Sequence, residues 1–402
     1  MHWWNQFPPG LRLLSKIRLL ASLGAGGVIY LTPLVFNQIE LSATQIGIGL
    51  AAAALTGTFS RFLTGIFLDK GRSIGLILKW AACLAITADY CFLNAQNFNS
   101  YAIGQILVGA AAGLYWPAIE LAVPISCSDF PSSKGFALVR SADALGTSLG
   151  ALLGSFMALT GSIRMVYLVD ISCMLLLFTL LTKKILESTS YVPSNSIKIS
   201  RLLKTRSIHN TNFKWLFKLI PILSISILAT AIFSLLQSAL PIDLVRGGIS
   251  RPPIQEGWSG AILALQLGLL VVLQWPIGNW LSSQKQSFGL GLSIFNFFIG
   301  CLLLGLSSIW SEGLSLVLIA QLFLAIALAS FLPTATESII QISPLDKRGI
   351  AMALFSQCFA ISGLIAPVFA GRVIDLQGNG MLIWITMSLT SLALIPLIKH
   401  TD

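Results

Sequence analysis

Residues 314–333 read Leu-Ser-Leu-Val-Leu-Ile-Ala-Gln-Leu-Phe-Leu-Ala-Ile-Ala-Leu-Ala-Ser-Phe-Leu-Pro and contain no charged side chain. An α-helix rises about 1.5 Å per residue, so roughly 20 apolar residues cross the hydrocarbon core of a bilayer. This stretch is therefore long enough to span a membrane, and comparable stretches recur along the whole chain. We predict an all-α integral membrane protein with twelve transmembrane helices.

The composition of the 402 residues supports this class, because 55% are hydrophobic and only 10% are charged. Soluble domains carry about 25% charged residues, so a water-soluble fold, a disordered chain and a disulfide scaffold are excluded. The formal net charge is +10, but the basic residues lie between apolar segments rather than in a long tail. Membrane topology explains this charge better than nucleic-acid binding, and no nucleic-acid partner is predicted.

The reactive side chains give no pattern typical of catalysis. The six cysteines lie in or beside apolar segments without metal-ligand spacing, and the three histidines lie in the tails or the central loop. No Gly-Lys-Ser/Thr phosphate loop occurs in the sequence. We predict that the chain is not an enzyme and uses no metal, cofactor or ATP.

Short charged or turn-rich breaks separate the predicted spans, which run over 13–37, 44–68, 75–94, 100–126, 136–160, 164–183, 215–243, 257–281, 287–309, 313–343, 349–371 and 380–399. The longest break, 184–214, is polar and basic. It divides the chain into an N-terminal six-helix unit over 1–183 and a C-terminal six-helix unit over 215–402.

Most of the 25 lysine and arginine residues fall in breaks on one side of the predicted membrane. They include Arg12, Lys16 and Arg18, which precede the apolar stretch of helix one, and a dense group around the central break. Cytoplasmic loops carry such an excess of positive charge. We therefore expect both termini and the central break in the cytoplasm, and a protein integral to the cell membrane, plasma or inner.

The two halves repeat weakly. Gln105 and Pro117 in helix four parallel Gln321 and Pro333 in helix ten, and the offset is the same for both pairs. A duplicated six-helix unit of this kind is how many transporters are built.

The break after helix two reads Gly-Ile-Phe-Leu-Asp-Lys-Gly-Arg over residues 65–72. It resembles the signature loop of the major facilitator superfamily, with its glycine, acid and bases, and is one residue shorter before Gly71. Residues 140–154 resemble the fifth helix of efflux-type members of that family. The resemblance covers essentially the whole chain. It implies two pseudo-symmetric six-helix bundles that work by alternating access.

Four residues of this loop are candidates for a gating latch: Gly65, Asp69, Lys70 and Arg72. A carboxylate at a helix end can meet the positive N-terminus of another helix, and the bases can pair with acids across the gap. The resemblance implies that the latch closes against helix eleven, which begins near Gly349. The alternative is a solvated charged turn that orients the helix.

Four charges lie inside the predicted spans at similar depth, about 8–12 Å from mid-helix toward the cytoplasm. They are Arg61, Glu120, Arg140 and Asp143, on helices two, four and five. Charges in a bilayer are costly, so we predict one ion-paired cluster, in which a carboxylate could exchange a proton. The alternative is a local pair of Arg140 with Asp143.

Gln105 stands where proton-coupled members of the family usually have an arginine. Any proton coupling is therefore expected to depend on the charge cluster of Arg61, Glu120, Arg140 and Asp143.

Uncharged polar and aromatic residues near the midplane are candidates for binding the substrate. They are Tyr30, Tyr115, Trp116, Gln237, Gln266 and Gln357. Amides and aromatic rings with few charges suit a weakly polar or amphipathic organic molecule. The alternative is ordinary helix packing with buried hydrogen bonds. Asp89 and Asp170 lie at other depths, where we expect a membrane interface or a helix contact.

These features favour a secondary active transporter that moves a small organic solute across the bilayer, with proton-coupled export as the first hypothesis. The alternative within the same fold is a uniporter or importer of a polar metabolite. A non-transporting membrane assembly protein is a third hypothesis, although it would need neither a latch nor buried charges. We expect a monomer whose partners are the small-molecule substrate, the lipid bilayer and protons.

Overall fold

The computed structural model describes residues 2–127, 130, 132–182, 214–281, 283–344 and 347–400. Within these ranges twelve helices are long and apolar enough to cross a membrane, and no strand is present, which confirms the predicted class. Numbered α1 to α12, they run over Pro9–Gln38, Ala43–Asp69, Ile74–Asn94, Phe98–Cys127, Ser132–Leu159, Met165–Thr182, Lys214–Ser238, Glu256–Leu281, Gln286–Ser307, Leu314–Ile342, Arg348–Gln377 and Met381–Leu394. Nearly all of the predicted linker 184–214 lies outside the described residues.

Local sequence signals account for several helix ends. Ser42 caps α2 by accepting from the Gln45 backbone N–H, while the Gln45 side chain accepts from Ser42 in return. Ser73 accepts from the Leu76 N–H at the start of α3. After α11, Gly378 has a φ of 75°, which a glycine adopts without the strain that a side chain would add.

Two predicted spans are interrupted in the structure. The span 215–243 divides into α7 and a short helix at Leu240–Arg246, with Ala239 between them. Pro241 stands in the first turn of the short helix, where its missing N–H is tolerated, whereas the interior of a longer helix would lose a hydrogen bond there. The last span, 380–399, is α12 followed by a 3₁₀ segment at Ile395–His400, which contains Pro396.

The two halves share one packing scheme. In the N-terminal half α1 packs on α5 and α6, α4 packs on α2 and α3, and α3 packs on α6. The equivalent pairs in the C-terminal half, α7 with α11 and α12, α10 with α8 and α9, and α9 with α12, are also in contact. The halves meet mainly through α2 with α11 and α5 with α8, which are again equivalent positions.

The α2–α11 contact is tight at one end and lost at the other. A Cβ added to Gly47 would lie 2.3 Å from the Pro367 carbonyl oxygen, and one added to Gly363 would lie 3.3 Å from Ala54. A Cβ at Gly65, further along the helix, would meet nothing of the described chain within 4 Å. The two helices therefore diverge along their length.

The α5–α8 contact behaves in the same way. A Cβ added to Gly257 would lie 2.3 Å from Leu159, whereas one at Gly268 would lie 3.9 Å from Ser148. Gly278 has nothing of the described chain within 4 Å of such an atom, and Trp275 beside it is 78% exposed. The halves thus meet at the end that holds the start of α2, called the closed end below. They separate toward the end that holds Gly65 and Gly278, called the open end.

Candidate functional site

A buried arginine forms the centre of the polar site in the N-terminal half. Arg18 lies within α1 and is only 3% exposed. Its Nη2 is 2.9 Å from the Asp143 carboxylate on α5. Its guanidinium lies 3.8 Å from the ring centroid of Trp116 and 5.3 Å from that of Tyr115, both on α4. An ion pair and a cation–π stack therefore hold one side chain between three helices.

This pairing corrects the predicted charge cluster. Asp143 also accepts a hydrogen bond from the Ser22 hydroxyl, so both of its partners come from α1. Arg18 was expected among the cytoplasmic basic residues that precede the apolar stretch of helix one. Because α1 begins at Pro9, Arg18 is instead more than two turns inside the helix, where only a carboxylate can balance it.

The other three residues of the predicted cluster do not join this pair. Arg61, Glu120 and Arg140 are exposed, and Arg61 interacts electrostatically with Glu120 across α2 and α4. Of the predicted cluster of four, Asp143 instead pairs with Arg18, which was not predicted as a member, and Arg61 interacts with Glu120. Arg140 takes part in neither contact. The local pair of Arg140 with Asp143 is likewise replaced by the contact with Arg18.

The residues of the predicted latch lie at the open end. Asp69 is the last residue of α2, and Lys70 and Arg72 follow it in a turn where Gly71 has a φ of 75°. The three charged side chains are exposed, and Gly65 has open space beside it. Residues 345 and 346, next to the expected docking point, lie outside the described residues, so the role of the latch stays a prediction.

A contact of the kind expected of Asp69 is present at the closed end, where a different carboxylate makes it. Asp375, near the end of α11, accepts the Ala43 N–H at 2.9 Å and the Thr44 N–H at 2.7 Å. Arg246 of the short helix after α7 donates to the same carboxylate at 3.0 Å. Asp375 thus caps the positive N-terminus of α2 from the opposite half of the protein. We call this group of four residues the Asp375 clasp.

Two more hydrogen bonds join the halves near the closed end. The Gln237 amide on α7 donates to the Tyr30 hydroxyl on α1 at 3.3 Å. Gln38, at the end of α1, donates to Glu256, which begins α8. The structure therefore brings two predicted cavity residues, Tyr30 and Gln237, into contact across the two halves.

The remaining cavity candidates are placed separately. Tyr115 and Trp116 lie together beside Arg18, and Trp116 is 39% exposed. Gln266 is buried in α8, and Gln357 is half-buried in α11. Among the described residues no group of three His, Cys, Asp or Glu side chains could hold a metal ion.

A comparison with known protein families agrees with the similar packing of the two halves. The family model described as Major Facilitator Superfamily matches residues 17–283. The chain belongs to the major facilitator superfamily. The fold described above, with equivalent contacts of α2 with α11 and α5 with α8, is therefore that of a superfamily transporter.

Two relatives within the superfamily are similar over part of their length. Multidrug resistance protein 1 of Bacillus subtilis is 24% identical over 149 residues, which is 37% of this chain and 38% of that protein. Quinolone resistance protein NorA of Staphylococcus aureus is 26% identical over 140 residues, which is 35% of this chain and 36% of NorA. The matches thus span little more than a third of these curated relatives.

Solved structures match over almost the whole chain. The nucleoside transporter NupG has a TM-score of 0.78 at 12% identity and covers 98% of this chain and 99% of its own. A POT family transporter in complex with a thioalcohol-conjugated peptide has a TM-score of 0.79 at 14% identity, with 98% and 96% covered. At such identities the likeness concerns the fold alone.

Proposed function

We propose that this superfamily member is a secondary transporter that exports weakly polar or amphipathic organic molecules, with protons as the coupling ion. The observation that carries the proposal is the face of α4 beside Arg18. Trp116 and Glu120 are exposed on it one helical turn apart, and Arg61 on α2 interacts electrostatically with Glu120. An aromatic surface with one balanced charge pair suits an organic solute with a small polar part.

The relatives support the direction of transport. The two described above are named for resistance to multiple drugs and to quinolones, which is consistent with export of organic compounds by those proteins. The excess of lysine and arginine supports an orientation with the open end and both termini in the cytoplasm of the cell membrane. In that orientation the site is open to the cytoplasm, as an exporter requires when it loads its substrate. We propose that a monomer carries out the cycle.

Proton-driven export has a direct test. Reconstituted in liposomes, the protein is expected to accumulate at least one compound of a labelled panel of amphipathic amines, dyes and quinolones when a pH gradient is imposed. A protonophore should remove the accumulation, and empty liposomes are the control. Equilibration without accumulation would show a uniporter instead. No movement of any panel compound, with folded protein present, would favour an assembly role.

The aromatic face predicts a change in substrate affinity. Trp116→Ala removes the exposed ring, and the contact of an aromatic ring with a substrate ring or cation is worth about 1–2 kcal/mol. We expect KM for a transported compound to rise roughly tenfold, since 1.4 kcal/mol corresponds to a factor of ten. Trp310→Ala, in an exposed turn beyond α9, is the matched control and should leave KM unchanged. Equal KM values in both variants would show that Trp116 does not contribute to substrate binding.

A further inference from the structure

Two aspartates on neighbouring helices form a buried pair in the N-terminal half. Asp89 on α3 is 0% exposed and Asp170 on α6 is 5% exposed. The two carboxyl groups lie within hydrogen-bonding reach of each other, and α3 packs directly on α6. Of the two environments predicted from the sequence, the structure shows a helix contact. We call these two residues the carboxyl dyad.

Among the described residues, three of the four oxygens of the dyad have no donor that would satisfy two ionised carboxylates. Both carboxyl oxygens of Asp89 and Oδ1 of Asp170 lack a hydrogen-bond donor among the described residues. The other titratable groups that interact with the dyad are Tyr167 and Cys173, which belong to α6 itself. The Tyr167 hydroxyl donates to Thr32 on α1 rather than to a carboxyl.

The surrounding helices bring no described cation to the dyad. From α1, Gly24 faces Asp170, while Arg18 of the same helix is paired on α5. From α4, the Tyr101 hydroxyl donates to a backbone carbonyl of α2. Arg164, just before α6, donates to two backbone carbonyls at the end of α3. These groups are committed to partners other than the two carboxyl groups.

Elementary electrostatics then limits the charge on the dyad. Two ionised carboxylates are hydrogen-bond acceptors only, and adjacent buried like charges without a cation are strongly unfavourable. One added proton bonds to an oxygen of one carboxylate and is donated to the other as an O–H···O hydrogen bond. The step reduces two negative charges to one and satisfies one of the unpaired oxygens. Pairs of carboxyl groups that share a proton in this way titrate as a unit.

We propose that Asp89 and Asp170 form a proton-binding site that holds one shared, exchangeable proton, and that this proton is the coupling ion. The coupling role rests on the proposed proton-driven export, whereas the binding of the proton does not. The site is separate from the aromatic face beside Arg18, so proton and substrate occupy different places in the N-terminal half.

The position of α1 explains how the proton could be exchanged. A Cβ added to Gly24 would lie 2.0 Å from Oδ1 of Asp170, so the backbone of α1 covers the dyad directly. The same helix carries Arg18, which contacts the aromatic face, and Tyr30, which contacts the other half. A movement of α1 during alternating access would admit water to both carboxylates and let the proton leave. Closure of α1 would bind a proton again.

Infrared spectroscopy of the whole protein in nanodiscs tests the proton itself. A protonated carboxyl group has a C=O stretch that the ionised form lacks, so a pH series on the wild type should show this band appear and disappear. Asp89→Asn and Asp170→Asn should each abolish that titrating band, because the amide imitates a protonated acid and leaves no partner to share a proton. Glu312→Gln, in an exposed turn, is the control and should retain it.

The same variants test coupling in liposomes. Asp89→Asn and Asp170→Asn should lose accumulation driven by a pH gradient while they keep substrate exchange at equal pH, which also shows that they are folded.

An infrared band that is unchanged in both Asn variants would overturn the proton site. Accumulation driven by a sodium gradient in place of the proton gradient would identify a metal cation instead. Persistence of the band without any proton-driven transport in the wild type would refute the proposed function but not the site. Retained accumulation in both variants would refute the coupling role.

Discussion

Asp375→Asn is expected to open the closed end and shift the protein toward the opposite access state. The variant loses the negative charge that pairs with Arg246 and leaves only one carbonyl oxygen for the Ala43 and Thr44 N–H groups. A hydrogen bond to a charged group is worth about 1.5–3 kcal/mol, so we expect a shift of about 2 kcal/mol, or roughly thirtyfold in the ratio of the two states.

Spin labels at Glu40→Cys and Gln377→Cys report this shift, because the two exposed positions lie in opposite halves near the closed end. The distance between the labels should lengthen in Asp375→Asn. Glu312→Gln, an exposed carboxylate in the turn before α10, is the matched control and should leave that distance unchanged. Identical distance distributions in the wild type and in Asp375→Asn would show that the clasp does not hold the closed end.

The course of the helices could be predicted because bilayer thickness and proline chemistry act locally. The apolar run 314–333 lies wholly inside α10, and the repeat of Gln105 and Pro117 at Gln321 and Pro333 reflects equivalent packing of α4 and α10. Pro241 indicates the break after α7. The predicted span 215–243 nevertheless continues through Pro241, because the residues on either side of it are equally apolar.

The partners in the site could not be predicted because they depend on contacts between distant parts of the chain. Asp375 and Ala43 are 332 residues apart, and nothing in either segment indicates the other. The predicted depth in the membrane was also insufficient, since Asp143 pairs with Arg18 and not with Arg61 or Glu120, which were predicted at a similar depth. Arg18 had a usable signal, because it falls within the predicted span 13–37. Its burial needed a carboxylate, and Asp143 on α5 supplies it.

The second large effect concerns that pair. Asp143→Asn leaves the Arg18 guanidinium buried without a counter-ion, and removing one partner of a buried ion pair costs about 3–5 kcal/mol. We therefore expect a marked fall in the thermal unfolding midpoint of the detergent-solubilised protein, together with loss of transport. Glu120→Gln, which removes an exposed carboxylate of α4, is the control and should leave the midpoint close to that of the wild type.

The double variant Arg18→Met with Asp143→Leu distinguishes a structural ion pair from a functional one. Replacing both charges by apolar side chains of similar volume removes the uncompensated charge, so the unfolding midpoint should recover most of what Asp143→Asn loses. Substrate affinity should not recover, because Trp116 has then lost the cation that stacks on it. A double variant as unstable as the single one would mean that the two residues do not depend on each other. Full recovery of both stability and KM would show that Arg18 serves the packing of α1, α4 and α5 and not the substrate.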